Sequence, residues 1–443
     1  MNKQAWLDRA KEKGFDGLEI YRGHSAERSV EWFGGQMDSF VTSDVTGTSL
    51  RAVIGGKTAV LALEKIGDDP AEIDGTLDLL AAQAAIVSTK ETDTLRAPEK
   101  TEEAERDSEW KVPGADEILA ALADVEKEIL AYDPRIKQVT EAGWQDSVSG
   151  REIVNSLGVD VRDEGRTQIL YAGAAAEENG EVKNDFNVEV VRDLSKFDPK
   201  AFAEKAAKGA LEKLGGSPVP SGAYKVIFER KAMTSLFGAL TDMFSGDLIG
   251  KGLSPLKDKR DGQIFSEKIT VVDDPRCPDA LRMANYDDEG CPTRKKILVE
   301  NGVFKTMLHN TKSGARMGME STGNGFRGGY ASPVGVSPFN CAILPGEKSL
   351  EELQAEMGDG LVITNLAGLH AGLNHVTTDF SLQCSGYLVK DGKRERSVAL
   401  VTAAGNFLDL MKKVVSVGSD LDWEYRTVAC PSIAFESCAI AGA

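Results

Sequence analysis

The alternation of apolar and polar positions predicts that the chain begins as a unit of helix and sheet. Residues Lys3 to Lys13 have an amphipathic helical pattern, whereas Gly17 to Arg22 and Glu27 to Phe33 alternate as strands do. The pairs Gly34-Gly35 and Gly55-Gly56 each lie between β-patterned runs, which is typical of hairpin turns. We therefore expect a sheet with one helix before it and one after.

The next part of the chain returns to helical periodicity and then loses it. A helix is predicted over Ala71 to Val87, and the charge-rich run from Thr89 to Lys111 has no periodicity, which favours a boundary there. The segments beyond it are a predicted helix over Asp116 to Ala131, strand-like stretches between Ile136 and Val191, and a predicted helix over Pro199 to Leu214.

The second half of the chain follows a segment rich in Gly, Ser and Pro, Gly215 to Gly222, which is typical of a linker. It opens with a predicted strand over Ala223 to Glu229 and a predicted helix over Lys231 to Phe244. Further on, Asn301-Gly302 and Asp391-Gly392 lie between β-patterned runs and have the residue types of type I′ turns. This half is therefore predicted to be mostly antiparallel sheet.

These patterns together predict an α+β fold. An N-terminal α/β-sheet region precedes a larger C-terminal domain rich in antiparallel β-sheet. We expect an N-terminal α+β domain at residues 1–100, a middle α+β region at 101–217 and a β-rich C-terminal domain at 218–443.

Composition narrows the possible partners and the compartment. The 443 residues include 52 Lys and Arg against 70 Asp and Glu, a formal net charge of -18. Such a surface repels phosphate backbones, so direct nucleic-acid binding is not expected. The chain has no long apolar run and no leader-like start, which predicts a cytoplasmic protein without a membrane partner. Six cysteines without a Cys-x-x-Cys pair argue against a disulfide framework or a zinc knuckle.

Candidate metal ligands are few. The chain has four histidines, His24, His309, His370 and His375. None belongs to a His-Glu-x-x-His or His-Glu-x-x-x-His pattern. His370 and His375 lie five positions apart with Asp379 and Cys384 downstream, so a loop-borne metal site is an alternative. The spacing is wrong for one helical face, and ordinary loop histidines are the favoured interpretation. We expect no metal and no cofactor.

Nucleophilic catalysis has weak candidates. Cys384 or Ser381 would have to pair with His370 or His375, and no nucleophile-elbow pattern surrounds either residue. Cys384 lies in an apolar strand pattern, which favours a buried and inert thiol.

Two acidic runs, Asp273-Asp274 and Asp287-Asp288-Glu289, are candidates for attracting a divalent cation. Such runs are more typical of solvated turns, and neither has the spacing of an EF-hand.

The interruption from Ser313 to Pro338 is rich in Gly, Ser and Asn and is long for a loop. It is predicted to be a binding loop or a mobile segment. Its residues Phe326, Arg327 and Tyr330 are candidates for lining a peptide groove, although a structural loop is the favoured interpretation.

A set of short stretches resembles the TldD/TldE family, also called PmbA or modulator of DNA gyrase. Each motif is weak alone, but the ordered set extends over nearly the whole chain. The stretches begin with Thr48-Ser-Leu-Arg-Ala-Val-Ile-Gly-Gly-Lys-Thr58, Asn155-Ser-Leu-Gly158, Phe244-Ser-Gly-Asp247 and Phe265-Ser-Glu-Lys-Ile-Thr-Val-Val-Asp-Asp274. They continue with Leu344-Pro-Gly-Glu347, Gly368-Leu-His-Ala-Gly372, Asp379-Phe-Ser381 and Ala404-Gly-Asn406.

The resemblance implies a TldE-type chain without the zinc site of TldD. TldD-type chains have His-Glu-x-x-x-His a few residues before a Gly-Asp, and the matching positions here are Phe237, Gly238 and Asp242. The family's third ligand is a cysteine, whose counterpart falls near Val417-Gly-Ser-Asp420, where no cysteine occurs. The resemblance thus implies degenerate catalytic positions and no zinc.

The function that the resemblance implies is that of a non-catalytic partner in a complex that degrades unfolded peptides and processes leader peptides. The implied partner is a TldD-type catalytic subunit or a second copy of the chain, arranged as a dimer around a cavity. Two alternatives stay open. One is an independent peptidase with a site around His370 and His375, and the other is a protein-binding regulator of a DNA enzyme.

Overall fold

The computed structural model describes residues 1–88, 94–104 and 109–443 and has the predicted α+β fold. The helices and strands of its first half are, in chain order, α1 (Lys3–Glu12), β1 (Gly17–Phe33), β2 (Gln36–Ile54), β3 (Lys57–Leu63), α2 (Pro70–Ile86), α3 (Ala115–Tyr132), β4 (Ile136–Asn155), β5 (Asp160–Glu178), β6 (Glu181–Val190) and α4 (Pro199–Glu212).

One antiparallel sheet contains the six strands that the structure describes in the first half. Its strand order is β3-β2-β1-β4-β5-β6, so β3 and β6 are the outer strands. The charge-rich run between α2 and α3 lies partly outside the described residues, namely at 89–93 and 105–108. Its described part has no helix or strand. The sheet therefore joins strands from both sides of that run.

The four helices cover one face of this sheet. Leu18 and Ile20 of β1 pack with α1 and α2 in one apolar cluster, and Val30 of the same strand packs with α3 and α4 in another. Positions an even number apart on a strand share a face, so both helix pairs lie on the same side. Asp69 and Asp198 accept hydrogen bonds from the first turns of α2 and α4 and precede a proline, which fixes where these helices begin.

The second half contains more and shorter elements. They are β7 (Gly222–Phe228), α5 (Arg230–Gly238), α6 (Gly246–Gly250), β8 (Val271–Asp273), β9 (Lys296–Glu300), β10 (Val303–Phe304), α7 (Thr311–Met317), β11 (Gly325–Phe326), β12 (Gly335–Val336), β13 (Cys341–Ile343), α8 (Leu350–Met357), β14 (Gly360–Ala367), α9 (Leu369–Gly372), β15 (Asp379–Lys390), β16 (Lys393–Asn406), α10 (Phe407–Lys412), β17 (Val414–Val417), β18 (Val428–Ala429) and β19 (Ile433–Ala441). None of the helices in the described ranges combines the length and the apolar composition needed to cross a membrane.

The main sheet of this half is partly closed. Its order is β16-β15-β14-β7-β19-β17, and a further pairing of β16 with β19 joins five of these strands into a barrel. A second sheet has the order β10-β9-β8-β13-β18. Most pairs are antiparallel, as predicted, and the exceptions are β7 with β14 and β13 with β18. One large apolar cluster fills the space between the two sheets and α5.

The predicted hairpin turns are confirmed. Asn301-Gly302 connects β9 to β10 with φ angles of 46° and 79°, and Asp391-Gly392 connects β15 to β16 with 48° and 73°. Positive φ at both central residues is the requirement of a type I′ turn, which Asn, Asp and Gly meet at the lowest cost. Gly34-Gly35 and Gly55-Gly56 also have positive φ and connect β1 to β2 and β2 to β3.

Three element predictions were wrong. The two predicted strands between Gly17 and Phe33 are one continuous strand, because β2 and β4 pair with β1 along most of its length. The predicted helix over Lys231 to Phe244 ends at Gly238, and a separate 3-10 turn covers Thr241–Phe244. The loop from Ser313 to Pro338 contains most of α7 and the small hairpin of β11 and β12.

The acidic runs were also wrongly predicted to be solvated turns. Asp273, Asp287, Asp288 and Glu289 are all buried. Asp273 forms an ion pair with Lys296 at 3.1 Å. The carboxylate of Asp287 accepts backbone hydrogen bonds from its neighbours in the chain and from Gly325, while burial and the nearby Glu289 raise its pKa to about 7.

Buried charges join the two halves of the chain. Arg51 of β2 binds Glu19 of β1 through Nη2 at 2.8 Å and Glu289 of the second half through Nη1 at 3.3 Å. Arg327 binds Glu19 from the other side at 3.0 Å. These side chains are almost fully buried, so each charge depends on the others for compensation.

Candidate functional site

A cleft of about 1830 Å³ lies between the two halves of the chain. Strand β6, the segment after it and α4 form one wall. The other wall comes from the start of α5, from β14, β15 and β16, and from residues 421–426. A cleft of this size can hold a ligand as large as a peptide segment.

Strand β6, which forms part of one cleft wall, is an outer strand of its sheet. The geometry of the β5–β6 turn shows which of its backbone groups point away from β5. Asn179 and Gly180 connect β5 to β6 with φ angles of 52° and 80°, so Glu178 and Glu181 are the hydrogen-bonded pair that closes a two-residue hairpin. Hydrogen-bonded pairs then alternate along an antiparallel ladder. The residues whose backbone N–H and C=O point away from β5 are therefore Val182, Asn184, Phe186, Val188 and Val190.

One contact supports this assignment. The Lys213 ammonium of the segment after α4 donates a hydrogen bond to the backbone carbonyl of Asn184 at 2.9 Å, on the side away from β5. Beyond Asn184, no strand in the described ranges pairs with the outer side of β6. An extended peptide can add to such an edge through main-chain hydrogen bonds, with Phe186 and Val188 providing apolar contacts.

The positions that the resemblance marks as degenerate lie at the end of α5. Phe237 is fully buried and packs against Phe244 and Phe407, with ring centroids 6.4 and 6.3 Å away. Gly238 has no side chain, and a Cβ built there would lie 3.7 Å from Val428. Asp242 belongs to the 3-10 turn and is exposed. The three positions therefore do not face one common pocket.

The segment that matches the family's cysteine ligand has a structural role. The Asp420 carboxylate accepts hydrogen bonds from the Ser432 backbone N–H at 2.8 Å and from the Ser432 hydroxyl at 2.7 Å. Both oxygens of Asp420 therefore help to fix the conformation of this loop.

Zinc needs three or four nitrogen, sulfur or carboxylate ligands converging on one point. Across residues 1–88, 94–104 and 109–443, no group of three or more His, Cys, Asp and Glu side chains is arranged to hold a metal ion. An aromatic ring and an exposed carboxylate at the two positions that match histidine ligands, with a glycine at the position that matches the glutamate base, do not fit a zinc site either.

The residues of the alternative site around His370 and His375 do not converge in the structure. His370 lies in the short helix α9 and His375 in the following turn, and both side chains are exposed. The carboxylate of Asp379 accepts hydrogen bonds from Asn406 at 2.9 Å and from Thr377 at 2.6 Å. These partners hold the start of β15 in place.

The candidate nucleophiles of the same region are equally unsuited. Cys384 is buried, as predicted, and burial raises the pKa of its thiol to about 12. A thiol with such a pKa is protonated at neutral pH and is a poor nucleophile. Ser381 is exposed on β15, next in the chain to the buried Leu382.

The remaining two histidines lie far from this region in the chain. His24 contacts Asp44 of the neighbouring strand at 3.0 Å. His309 is fully buried, its Nδ1 lies 3.2 Å from the Ser313 hydroxyl, and its Nε2 has no hydrogen-bond partner within the described part of the chain. Burial lowers the pKa of His309, which favours the neutral ring.

The three loop residues named as peptide contacts lie between the two halves of the chain. Arg327 has a side chain that is only 1% exposed, and its guanidinium lies 4.6 Å from the Tyr21 ring. Tyr330 packs against Gly47, where a Cβ would come within 2.4 Å of the ring. All three residues line a smaller cleft of about 500 Å³. These residues do not line the larger cleft.

The charged residues that do line the larger cleft were not singled out from the sequence. Arg192 follows β6, Lys231 lies on α5, and Arg426 lies in the loop before β18. They are far apart in the chain, and each is an ordinary surface residue in its local pattern. Only the packing of the two halves brings them to one cleft.

Two family models match most of the chain. The PmbA/TldA metallopeptidase central domain matches residues 108–214, and the PmbA/TldA metallopeptidase C-terminal domain matches residues 221–442. Metalloprotease PmbA of Escherichia coli O157:H7 is 28% identical over 329 residues, which are 74% of this chain and 70% of that protein.

Solved structures agree with these matches. TldE from Thermococcus kodakarensis has a TM-score of 0.90 and 27% identity, and the match covers 99% of this chain and 100% of that chain. A proposed modulator of a DNA gyrase from Thermotoga maritima has a TM-score of 0.90 and 30% identity, with 99% of each chain covered. Sequence and structure thus point to one family along the whole chain, and the protein belongs to the TldD/TldE (PmbA) metallopeptidase family.

Proposed function

We propose that this chain is a non-catalytic, TldE/PmbA-like subunit of a TldD/TldE-type metalloprotease complex that degrades unfolded peptides and processes leader peptides. The observation that carries this proposal is the surroundings of Phe237. The position that matches a zinc-binding histidine is part of an aromatic cluster without access to solvent. Neither a metal-bound water nor a general base has a place there.

The proposed contribution of this subunit is to bind the peptide. The outer edge of β6 faces the cleft and offers backbone donors and acceptors, which bind any extended sequence. Binding through the backbone suits a complex that acts on unfolded peptides of many sequences. The proposed partner is a TldD-type catalytic subunit, with a self-dimer as the alternative.

The first experiment combines zinc analysis with reconstitution. The full chain is dialysed against a mild chelator, offered zinc and measured for zinc per chain. It is then assayed on a labelled unfolded peptide, alone and mixed with a TldD-type chain. We expect no retained zinc, no cleavage by the chain alone and increased cleavage on mixing. Stoichiometric zinc, or cleavage by the chain alone, would overturn the proposal.

A matched pair of variants tests the role of β6. Val188→Pro removes a backbone N–H that points into the cleft, whereas Val182→Pro removes an equivalent outward N–H beyond the cleft lining. Both leave the hydrogen bonds to β5 intact. We expect Val188→Pro to weaken peptide binding about fivefold to tenfold, from the loss of about one hydrogen bond, and Val182→Pro to have no effect. Equal binding by both variants would contradict the edge-strand mode.

A further inference from the structure

The cleft differs in charge from the rest of the molecule. The whole chain has 52 Lys and Arg against 70 Asp and Glu. Among the residues that the structure describes, by contrast, the cleft is lined by eleven Lys and Arg and nine Asp and Glu. An acidic protein thus has a slightly basic cleft. Charge of one sign within a cleft is focused by the protein walls, so its effect on a ligand exceeds that of the same charges on an open surface.

Several of the basic residues are already neutralised. Arg394 forms an ion pair with Glu212 at 2.9 Å, and Arg230 forms ion pairs with Glu424 at 2.8 Å and Asp422 at 3.3 Å. These pairs hold the cleft walls in place. Because their charges are compensated within the protein, they offer little net attraction to a ligand.

Five further basic residues of the cleft have no ion-pair partner among the described residues. Within the described parts of the chain, no Asp or Glu forms an ion pair with these cleft residues, which are Arg192, Lys196, Lys208, Lys231 and Arg426. Arg192, Lys196 and Lys208 belong to the wall of the first half, and Lys231 and Arg426 to the opposite wall. Positive charge without an ion pair in the described part of the chain therefore faces the cleft from both sides, with Glu229 attracting Lys231 electrostatically on the second wall.

Two of these cations are held in fixed positions by neutral partners. The Arg192 guanidinium lies 5.6 Å from the centre of the Trp110 ring, and Arg426 Nη1 donates a hydrogen bond to the Ser235 hydroxyl at 3.2 Å. Such contacts order a guanidinium without neutralising its charge. Because these side chains are already ordered, binding of a ligand carboxylate costs less conformational entropy.

We propose that the cleft selects peptides by negative charge, with ligand carboxylates bound by Arg192 and Arg426 on opposite walls while the peptide backbone pairs with β6. Lys196, Lys208 and Lys231 add to the same attraction. The carboxylates are Asp and Glu side chains or the peptide's C-terminal carboxylate. This inference rests on one part of the proposed function, namely that the subunit binds unfolded peptides.

The test measures binding of labelled, unstructured peptides to the full chain by fluorescence anisotropy. Three peptides share one sequence except at two positions that are Glu, Gln or Lys, and each is made with a free or an amidated C-terminus. We expect the Glu peptide to bind about tenfold more tightly than the Gln peptide and the Lys peptide to bind most weakly. Raising the salt concentration should reduce these differences. The amidated set separates side-chain from C-terminal carboxylates.

Single-residue variants test which side chains cause the preference for the Glu peptide. Arg192→Gln and Arg426→Gln should each weaken binding of the Glu peptide about fivefold and leave the Gln peptide nearly unchanged. Arg135→Gln is the matched control, because this arginine lies outside the cleft and pairs with Asp133. Thermal unfolding of each variant checks that it is folded, and Lys231→Gln replaces any variant that is not.

The outcomes separate this inference from the proposed function. If none of the peptides binds, peptide binding by this subunit is overturned. If all peptides bind equally well, the cleft remains a peptide site but selection by charge is overturned. If the preference for Glu persists when Arg192 and Arg426 are both replaced, the assignment to these residues is overturned.

Discussion

The contact between the two halves of the chain makes Arg51 a sensitive position. We predict the effect of Arg51→Met, which keeps an unbranched chain about as long as the stem of arginine and removes the charged guanidinium. Arg51 gives two hydrogen bonds to Glu19 and one to Glu289, and its side chain is 8% exposed. The substitution therefore removes compensation from two buried carboxylates at once.

The magnitude follows from the partners that remain. Removing one member of a buried ion pair costs about 3 to 5 kcal/mol, because a charge stays buried without its counterion. After the substitution Glu19 still has Arg327 at 3.0 Å, and Glu289 still accepts a hydrogen bond from the Thr311 backbone N–H at 2.7 Å. We therefore expect a decrease in unfolding free energy at the lower end of this range, about 3 kcal/mol.

The assay is equilibrium unfolding in urea. Tryptophan fluorescence and circular dichroism both monitor the transition, and coincident curves would show that the two halves unfold together. Arg135→Met is the control, because its ion pair with Asp133 is exposed to solvent, and we expect it to leave the unfolding midpoint unchanged. If Arg51→Met behaved like this control, the reasoning that buried charges hold the two halves together would be refuted.

Further predictions concern Phe237, His309 and two cysteines. Phe237→Ala should lower the unfolding free energy by about 3 to 5 kcal/mol in the same assay, because it empties a fully buried aromatic position. A decrease in unfolding free energy of less than about 1 kcal/mol would contradict the tight packing around Phe237. Burial lowers the pKa of His309 below its ordinary 6.5, so the unfolded chain binds more protons there and stability falls as the pH drops through 6.5. His309→Gln should remove this part of the pH dependence between pH 7.5 and 5.5, and an unchanged slope would argue against it. A thiol reagent at pH 8, followed by peptide mass spectrometry, should label half-buried Cys277 before buried Cys384, whose pKa is raised to about 12 by burial. The reverse order would contradict the burial of Cys384.

Local chemistry explains why much of the fold could be predicted. The turns at Asn301-Gly302 and Asp391-Gly392 depend on residues that tolerate positive φ, and this preference is independent of the rest of the chain. Helices such as α3 follow from the spacing of their buried residues, Ile118, Leu122, Val125 and Ile129, which are spaced for one helical face. Such features require no knowledge of distant contacts.

The burial of acidic residues could not be predicted in this way. The run Asp287-Asp288-Glu289 has the local composition of a solvated turn, but Arg51 and Arg151 of the first half pair with Glu289 and Asp288 and compensate their burial. The same limit applied to Arg327, whose ion pair with the buried Glu19 no local pattern indicates.

The sequence by itself determined the α+β class, the hairpins and the residue types at the family's zinc positions, because each depends on local conformational preference or on identity alone. Tertiary structure decided where the cleft lies, that the edge of β6 faces it, and that Arg192 and Arg426 line it without an ion pair to any described acidic residue. These properties depend on which side chains come within a few ångströms of one another from distant parts of the chain. Since the free energy of a charge is set by its neighbours in space, no local pattern records it.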